Sequence, residues 1–230
     1  MQVLAIASQK GGSGKTTLAG HLAVEAERRG AGPVALIDTD PQGSLADWWN
    51  ARAAGTPAFA QTFVSRLPED LEKMRASGIA LVIIDTPPAI TSTIVEVVRN
   101  SDLVVIPVRP SPHDLGAAGA TVDVVESLGK PLVFVINAAS PRARITSEAV
   151  IALSQHGTLA PAIINNRTDF AASLIDGRTV MELPKTDRSS EEITALWTYL
   201  RKRLEMRERP ASDPATQSQT GSGNLARAAS

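Results

Sequence analysis

The stretch Ser8-Gln9-Lys10-Gly11-Gly12-Ser13-Gly14-Lys15-Thr16-Thr17 constrains this chain more than any other. The apolar run Val3-Leu4-Ala5-Ile6-Ala7 leads into it, and a helical pattern over residues 16–29 follows. Strand, glycine-rich turn and helix in that order form the setting a phosphate-binding loop requires. Glycines let successive backbone N–H groups turn inward on an anion, and the next helix adds its N-terminal N–H groups. Gly11, Gly12, Ser13, Gly14, Lys15, Thr16 and Thr17 are therefore the candidate phosphate-binding residues. Lys15 can reach the β- and γ-phosphates, and the Thr16 hydroxyl can ligate Mg²⁺.

Two acidic segments fit the same chemistry. The short buried run 34–37 ends in Asp38-Thr39-Asp40-Pro41-Gln42-Gly43-Ser44, and the apolar run 79–84 ends in Asp85-Thr86-Pro87-Pro88. Acidic residues at the carboxyl ends of strands in an α/β protein lie where ligands bind. A near-continuous apolar strand suits a sheet covered on both faces, and a carboxylate at its end can hold Mg²⁺ directly or through water. Phosphate loop and both acidic segments together point to a nucleoside triphosphatase. The loop departs from the usual pattern: Gln9 stands where a glycine is expected, and a second lysine, Lys10, follows.

That departure carries a resemblance. Lys-Gly-Gly-Ser-Gly-Lys-Thr-Thr at 10–17 resembles the deviant loop of ParA/MinD-type ATPases, closest to the small ParA-like partition ATPases. The resemblance implies a deviant P-loop NTPase fold over residues 1–209. It implies that Lys10 is a signature lysine reaching across a nucleotide-sandwich dimer to the partner's ATP. It gives Asp40, before Pro41-Gln42-Gly43, the role of placing or polarising the attacking water, and makes Asp38 a helper at the Mg²⁺ hydration shell. Asp85-Thr86-Pro87-Pro88 resembles the second switch, so Thr16, Asp38 and Asp85 form the expected metal set. Asn137 ends the apolar run 132–136 in the region where related NTPases meet the base, and residues 165–170 resemble the late loop near it. The implied cofactors are ATP and Mg²⁺. The implied partners are a second copy of the chain, a cargo-linked activating protein of ParB-like role, and nonspecific DNA, which places the protein in the cytoplasm on the nucleoid.

Apolar runs alternating with helical patterns predict an α/β fold: a three-layer, mostly parallel sheet with helices on both faces. Further strands are expected at 59–64, 103–108 and 132–137, with a last one at 159–164. Further helices are expected at 45–54 with Ser44 as cap, then at 68–76, 93–99, 114–128, 145–155, 170–175 and 189–208, the last capped by Ser189 or Ser190. His21 reads as a partly buried or surface residue of the first helix. The pattern is lost from Pro210 onward, and residues 210–230 read as a disordered tail.

Composition narrows the function classes. Cysteine is absent, which removes disulfides, thiolate catalysis and cluster carriers that bind metal through cysteine. No apolar run reaches transmembrane length and no signal peptide is read. A membrane-positioning relative of the MinD type would need an amphipathic C-terminal helix, and residues after Pro210 offer only Leu225. The chain starts almost at its first strand, so a helix-turn-helix extension and operator-specific repression are not expected. A non-catalytic nucleotide-binding protein would not need Lys15, Thr16, Asp40 and Asp85 together. The formal net charge of −1 is not that of a strongly basic nucleic-acid binder. DNA contact would need local patches, for which Arg142, Arg144, Arg201, Lys202 and Arg203 are the candidates.

Overall fold

The structure is a computed structural model that describes residues 1–88 and 92–208. Six strands form one sheet: β1 (Gln2–Ile6), β2 (Val34–Asp38), β3 (Ala58–Ala60), β4 (Leu81–Asp85), β5 (Leu103–Val108) and β6 (Leu132–Ile136), in the order β3-β2-β4-β1-β5-β6. Every pairing is parallel. Among the described residues eight α-helices flank it: α1 (Lys15–Arg28), α2 (Ser44–Ala51), α3 (Leu67–Ala76), α4 (Ser92–Arg99), α5 (Pro112–Ser127), α6 (Arg144–Ser154), α7 (Thr168–Leu174) and α8 (Asp187–Glu208).

Alternate strand residues point to opposite faces, and each face has its own core. Leu4, Ile6, Leu36 and Ile83 pack with Leu18 and Leu22 of α1 and with Trp197 and Leu200 of α8. Val3, Ala5, Ile37 and Ile84 pack on the other side with Leu71 of α3, Val97 of α4, Val125 of α5 and Leu153 of α6. β5 is apolar throughout, and β4 is apolar up to its terminal Asp85, because both of their faces are covered.

The stretch 159–164 does not form the predicted last strand. It runs beside β6, joined by isolated parallel bridges at Phe134–Leu159 and Ala139–Asn165. Ala160 and Ile164 donate to Phe134 and Ile136, and between them Pro161 has no N–H to give. Only 58–60 of the predicted strand 59–64 pairs with β2. The last helix begins at Asp187, so Ser189 and Ser190 lie inside it. Their hydroxyls donate to Asp169 (2.7 Å) and to the Val180 carbonyl (3.0 Å), tying α8 to its neighbours instead of capping it. His21 is not at the surface: it is fully buried between α1 and the short turn at Val180–Glu182. The tail at 210–230 lies outside the described residues.

Candidate functional site

β1, β4 and β2 lie side by side, with Ile6 and Asp38 both in register with Asp85. The glycine-rich loop and both acidic segments thus leave the sheet at one carboxyl edge. Hydroxyls hold the strand ends together: Thr39 Oγ1 donates to the Asp85 carbonyl (2.6 Å) and Thr86 Oγ1 to the Ile6 carbonyl (2.9 Å).

The loop is braced from three sides. The Gln9 N–H donates to Thr121 Oγ1 on α5 (3.2 Å), and Lys15 Nζ donates to the Lys10 carbonyl across the loop (3.3 Å). Asn137 Nδ2 donates to the Ser13 carbonyl (2.6 Å) from the end of β6. Gly14 has φ +92°, and a Cβ there would lie 2.1 Å from Asn137 Nδ2. Glycine is therefore required at Gly14 both by conformation and by the approach of Asn137. Gly14 leads directly into Lys15 at the start of α1, so the helix N-terminus opens on the loop.

Electrostatics at the floor are unbalanced. Thr16 Oγ1 donates to Asp85 Oδ2 (2.6 Å), while Asp85 Oδ1 has no hydrogen-bond partner. Asp85 is buried, and burial pushes its pKa up to about 7; the Thr16 bond and the Lys15 charge work against the rise, and the charges of Asp38 and Asp40 add to it. Burial also lowers Lys15 below its ordinary value, opposed by the Asp85 and Asp40 charges. Asp38 is raised by burial in turn, although it accepts N–H bonds from Asp40, Leu45 and Ala46. A hydroxyl against a carboxylate whose second oxygen is buried and unpartnered is a donor set suited to a hard cation such as Mg²⁺. Among the described residues no group of three or more His, Cys, Asp or Glu could hold a metal, so Mg²⁺ here would share its ligands with phosphate and water, as it does in NTPases.

Asp38 has a second task. Its Oδ2 accepts from Leu45 and Ala46 at 3.0 and 3.1 Å, two N–H groups in the first turn of α2. Ser44, read as the cap, is the first residue of that helix, and Gly43 precedes it with no side-chain cap. Asp40 Oδ1 accepts from the Gln42 N–H (3.0 Å), and Asp40 lines the cleft with Lys15 and Thr16.

That cleft has a volume of about 890 Å³. A second cavity of about 310 Å³ is lined by Asn137, Asn165, Asn166, Arg167 and Phe170. Gly12, Gly14, Thr17, Arg109 and Leu174 border both, so the two adjoin. Lys10 is exposed and lines neither.

A family model for the CobQ/CobB/MinD/ParA nucleotide binding domain matches residues 4–180. The chain belongs to that family. Among ParA/MinD relatives, "Maintenance of carboxysome distribution protein A" of Halothiobacillus neapolitanus is 28% identical over 198 residues, 82% of this chain and 91% of that protein. "Protein ParA" of Rhizobium radiobacter is 29% identical over 194 residues, 83% of this chain and 80% of that protein. The septum site-determining protein MinD of Pyrococcus horikoshii, solved with Mg-ADP, superposes with a TM-score of 0.73 at 16% identity, over 91% of this chain and 99% of that one. The last likeness places the six-stranded sheet in the P-loop NTPase fold of MinD and ParA structures.

Several residues around this ParA/MinD-type site carried no signal of their own. Thr121 is one threonine in a helix of small residues. Arg52 and Glu182 form a paired contact (2.8 and 2.6 Å) that ties the end of α2 to the segment after α7. The candidate DNA residues do not come together. Arg142 and Arg144 follow β6 at the carboxyl edge. Arg203 borders a hollow with Leu103, Lys130 and Pro131, where β5 and β6 begin, and Arg201 donates to the Arg29 carbonyl beyond the end of α1. Those two, with Lys202, belong to the amino edge, because α8 runs back across the sheet.

Proposed function

We propose that this ParA/MinD-family chain is a Mg²⁺-dependent ATPase that works as an ATP-bound sandwich dimer on DNA of no particular sequence, positioning or partitioning cargo by hydrolysis. The observation that carries this is the meeting of Thr16 and Asp85 under a braced, glycine-rich loop, with the second, buried oxygen of Asp85 unpartnered. Bound Mg²⁺ neutralises charge on the phosphate oxygens. The loop N–H groups, Gly11 to Thr17, and Lys15 would hold the phosphates; Thr16 and Asp85 would hold the ion, with Asp38 helping at its hydration shell. Asp40, on the wall of the cleft, orients water for attack. The adjoining second cavity receives the base beside Asn137.

Lys10 supports the dimer. A lysine beside the loop that is exposed and faces neither cavity of its own chain suits a ligand in a second chain. One relative is named for carboxysome distribution, which sets a protein assembly beside plasmid and chromosome as a class of cargo. A cargo-linked protein of ParB-like role stimulates hydrolysis, and the protein resides on the nucleoid in the cytoplasm.

The test is solution mass with ADP and with a slowly hydrolysed ATP analogue, alongside phosphate release. A dimer with the analogue alone, lost in Lys10→Ala while that variant still binds ADP, is expected. A wild-type chain that binds no nucleotide overturns the ATPase reading. A Lys10→Ala dimer of normal affinity removes the cross-subunit contact.

A further inference from the structure

Arg109 is the first residue after β5, and β5 lies beside β1, so it emerges next to the glycine-rich loop. Its guanidinium lies against Gly12: a Cβ built on Gly12 would be 3.1 Å from one terminal nitrogen and 3.8 Å from Cζ. Gly12 has φ +70°, so the loop turns there in a conformation that leaves room for the arginine. Arg109 also borders both the loop cleft and the base cavity. A ligand reaching from one to the other passes it.

Its charge is uncompensated. Elsewhere buried or half-buried arginines meet carboxylates, as Arg52 meets Glu182 and Arg167 meets Glu192. Among the described residues Arg109 has no such partner and is exposed at the mouth of the cleft. The other two cations are placed differently: Lys15 is buried and Lys10 is exposed and lines neither cavity. An arginine held over a phosphate-binding turn with its donors free is built for bidentate contact with phosphate oxygens.

We propose that Arg109 is a phosphate-contacting residue of the nucleotide site, closing on the polyphosphate chain of a nucleoside di- or triphosphate from the side opposite the loop backbone. This rests on the reading that the cleft binds ATP. It adds a same-chain cation to the pair of lysines, at the point where phosphates give way to ribose and base.

The experiment measures binding of ADP and of inorganic tripolyphosphate to the full chain and to Arg109→Ala and Arg109→Lys, with ligand-free thermal unfolding as the folding control. Loss of a charge-assisted bidentate contact weakens binding about 10- to 100-fold. The expected result is that Arg109→Ala weakens both ligands by a similar factor, with a flatter salt dependence, and that Arg109→Lys recovers part of the loss. Because Arg109 is exposed, ligand-free unfolding is expected to be unchanged. ADP and tripolyphosphate affinities within twofold of wild type in Arg109→Ala overturn the proposal. So does a loss confined to ADP, which would mark contact with the nucleoside. Wild type that binds neither ligand overturns the ATPase reading and this one with it, whereas intact wild-type binding with an indifferent Arg109→Ala removes only the arginine.

Discussion

Thr16 Oγ1 donates a 2.6 Å hydrogen bond to Asp85 Oδ2, joining the start of α1 to the end of β4 across 69 residues of sequence. The bond fixes one oxygen of the carboxylate and leaves the other facing inward without a partner. With its pKa raised to about 7, Asp85 is an acid held near the edge of ionisation, and a cation beside it would draw it into the charged form.

Replacing Asp85 by Asn keeps the size of the side chain and removes the charge. Mg²⁺-dependent ATP turnover is expected to fall by about 100-fold or more, the scale of ~3 kcal/mol of lost charge stabilisation. Nucleotide binding without Mg²⁺ is expected to survive, since the loop itself is unchanged. Phosphate release across a Mg²⁺ series, together with ADP titration in chelator, checks both halves.

Asn137 gives a sharper choice. Its amide nitrogen holds the Ser13 carbonyl, so Asn137→Ala leaves that buried carbonyl unpaired, a loss of about 1–3 kcal/mol. If bracing the loop is its task, ADP and GDP lose affinity by the same factor and stability drops with them. If its side chain reads adenine, the preference for ADP over GDP narrows instead. Calorimetric titration with both nucleotides separates the outcomes.

These two residues also mark where sequence reading reaches and where it stops. Lys15, Thr16, Asp40 and Asp85 were legible because each sits at a fixed offset in a short motif whose chemistry is local. Alternating apolar runs and helices implied the layered sheet, but not that β4 inserts between β2 and β1, since parallel strands of the same composition pair by long-range packing. Arg109 is one arginine in a proline-containing turn; its meaning comes only from β5 lying beside β1. Asn137 was placed near the base by its position at a strand end, while its bond to Ser13 depends on two segments 124 residues apart. Apolar character at 159–164 suggests a strand, but Pro161 within it has no N–H to give to a ladder.

Asp40 lies on the wall of the cleft and holds the Gln42 N–H. Asp40→Ala is expected to slow single-turnover ATP cleavage by at least about 100-fold, the cost of a misplaced nucleophile. ATP affinity should stay within about threefold, and dimers should accumulate with ATP because the bound state no longer resolves. Rapid-quench cleavage at saturating Mg·ATP is the measurement; an unchanged rate removes Asp40 from the hydrolytic step.

His21 sets an acid limit on stability. Its Nδ1 meets the Thr17 carbonyl (2.7 Å), so that nitrogen carries the proton, and Nε2 accepts from the Val180 N–H (3.2 Å) with Ser173 Oγ close by (3.3 Å). Burial lowers its pKa to about 4, against the opposing effects of the Thr17 bond and the Glu182 charge. The folded protein therefore holds the ring neutral while an unfolded chain protonates it below about pH 6.5. The stabilisation is complete above that pH and is lost as pH falls toward 4, by roughly 3 kcal/mol in all. Denaturant unfolding of wild type and His21→Gln at pH 7.5 and 5 should show a smaller fall in the variant, and the His21 ring should remain neutral at pH 5 by NMR. A ring that titrates near 6.5 would remove the effect.

The DNA surface is the last test, and the fold divides its candidates. The proposed sandwich dimer would bring two nucleotide sites together at the carboxyl edges of the sheets and leave the amino edges accessible. Lys202 and Arg203 lie toward that edge on α8, with Lys130 across the hollow from Arg203. Arg201 is partly neutralised by Glu205 (2.7 Å), and Arg144 by Glu148 (3.1 Å). Binding to unrelated duplexes should therefore be carried by Lys202 and Arg203 more than by Arg142 and Arg144. Reversing Lys202 and Arg203 to Glu is expected to weaken every duplex similarly and to flatten the salt dependence by about two units of log–log slope per DNA-contacting subunit, one for each lost phosphate contact. Basal ATP turnover should not change, because that edge is remote from Thr16 and Asp85. Reversal of Arg142 and Arg144 serves as the matched control in duplex titrations with ATP and with ADP over a salt series. A larger loss from that control would move the DNA to the carboxyl edge, and absence of ATP-selective binding at low salt would remove DNA from the proposed function.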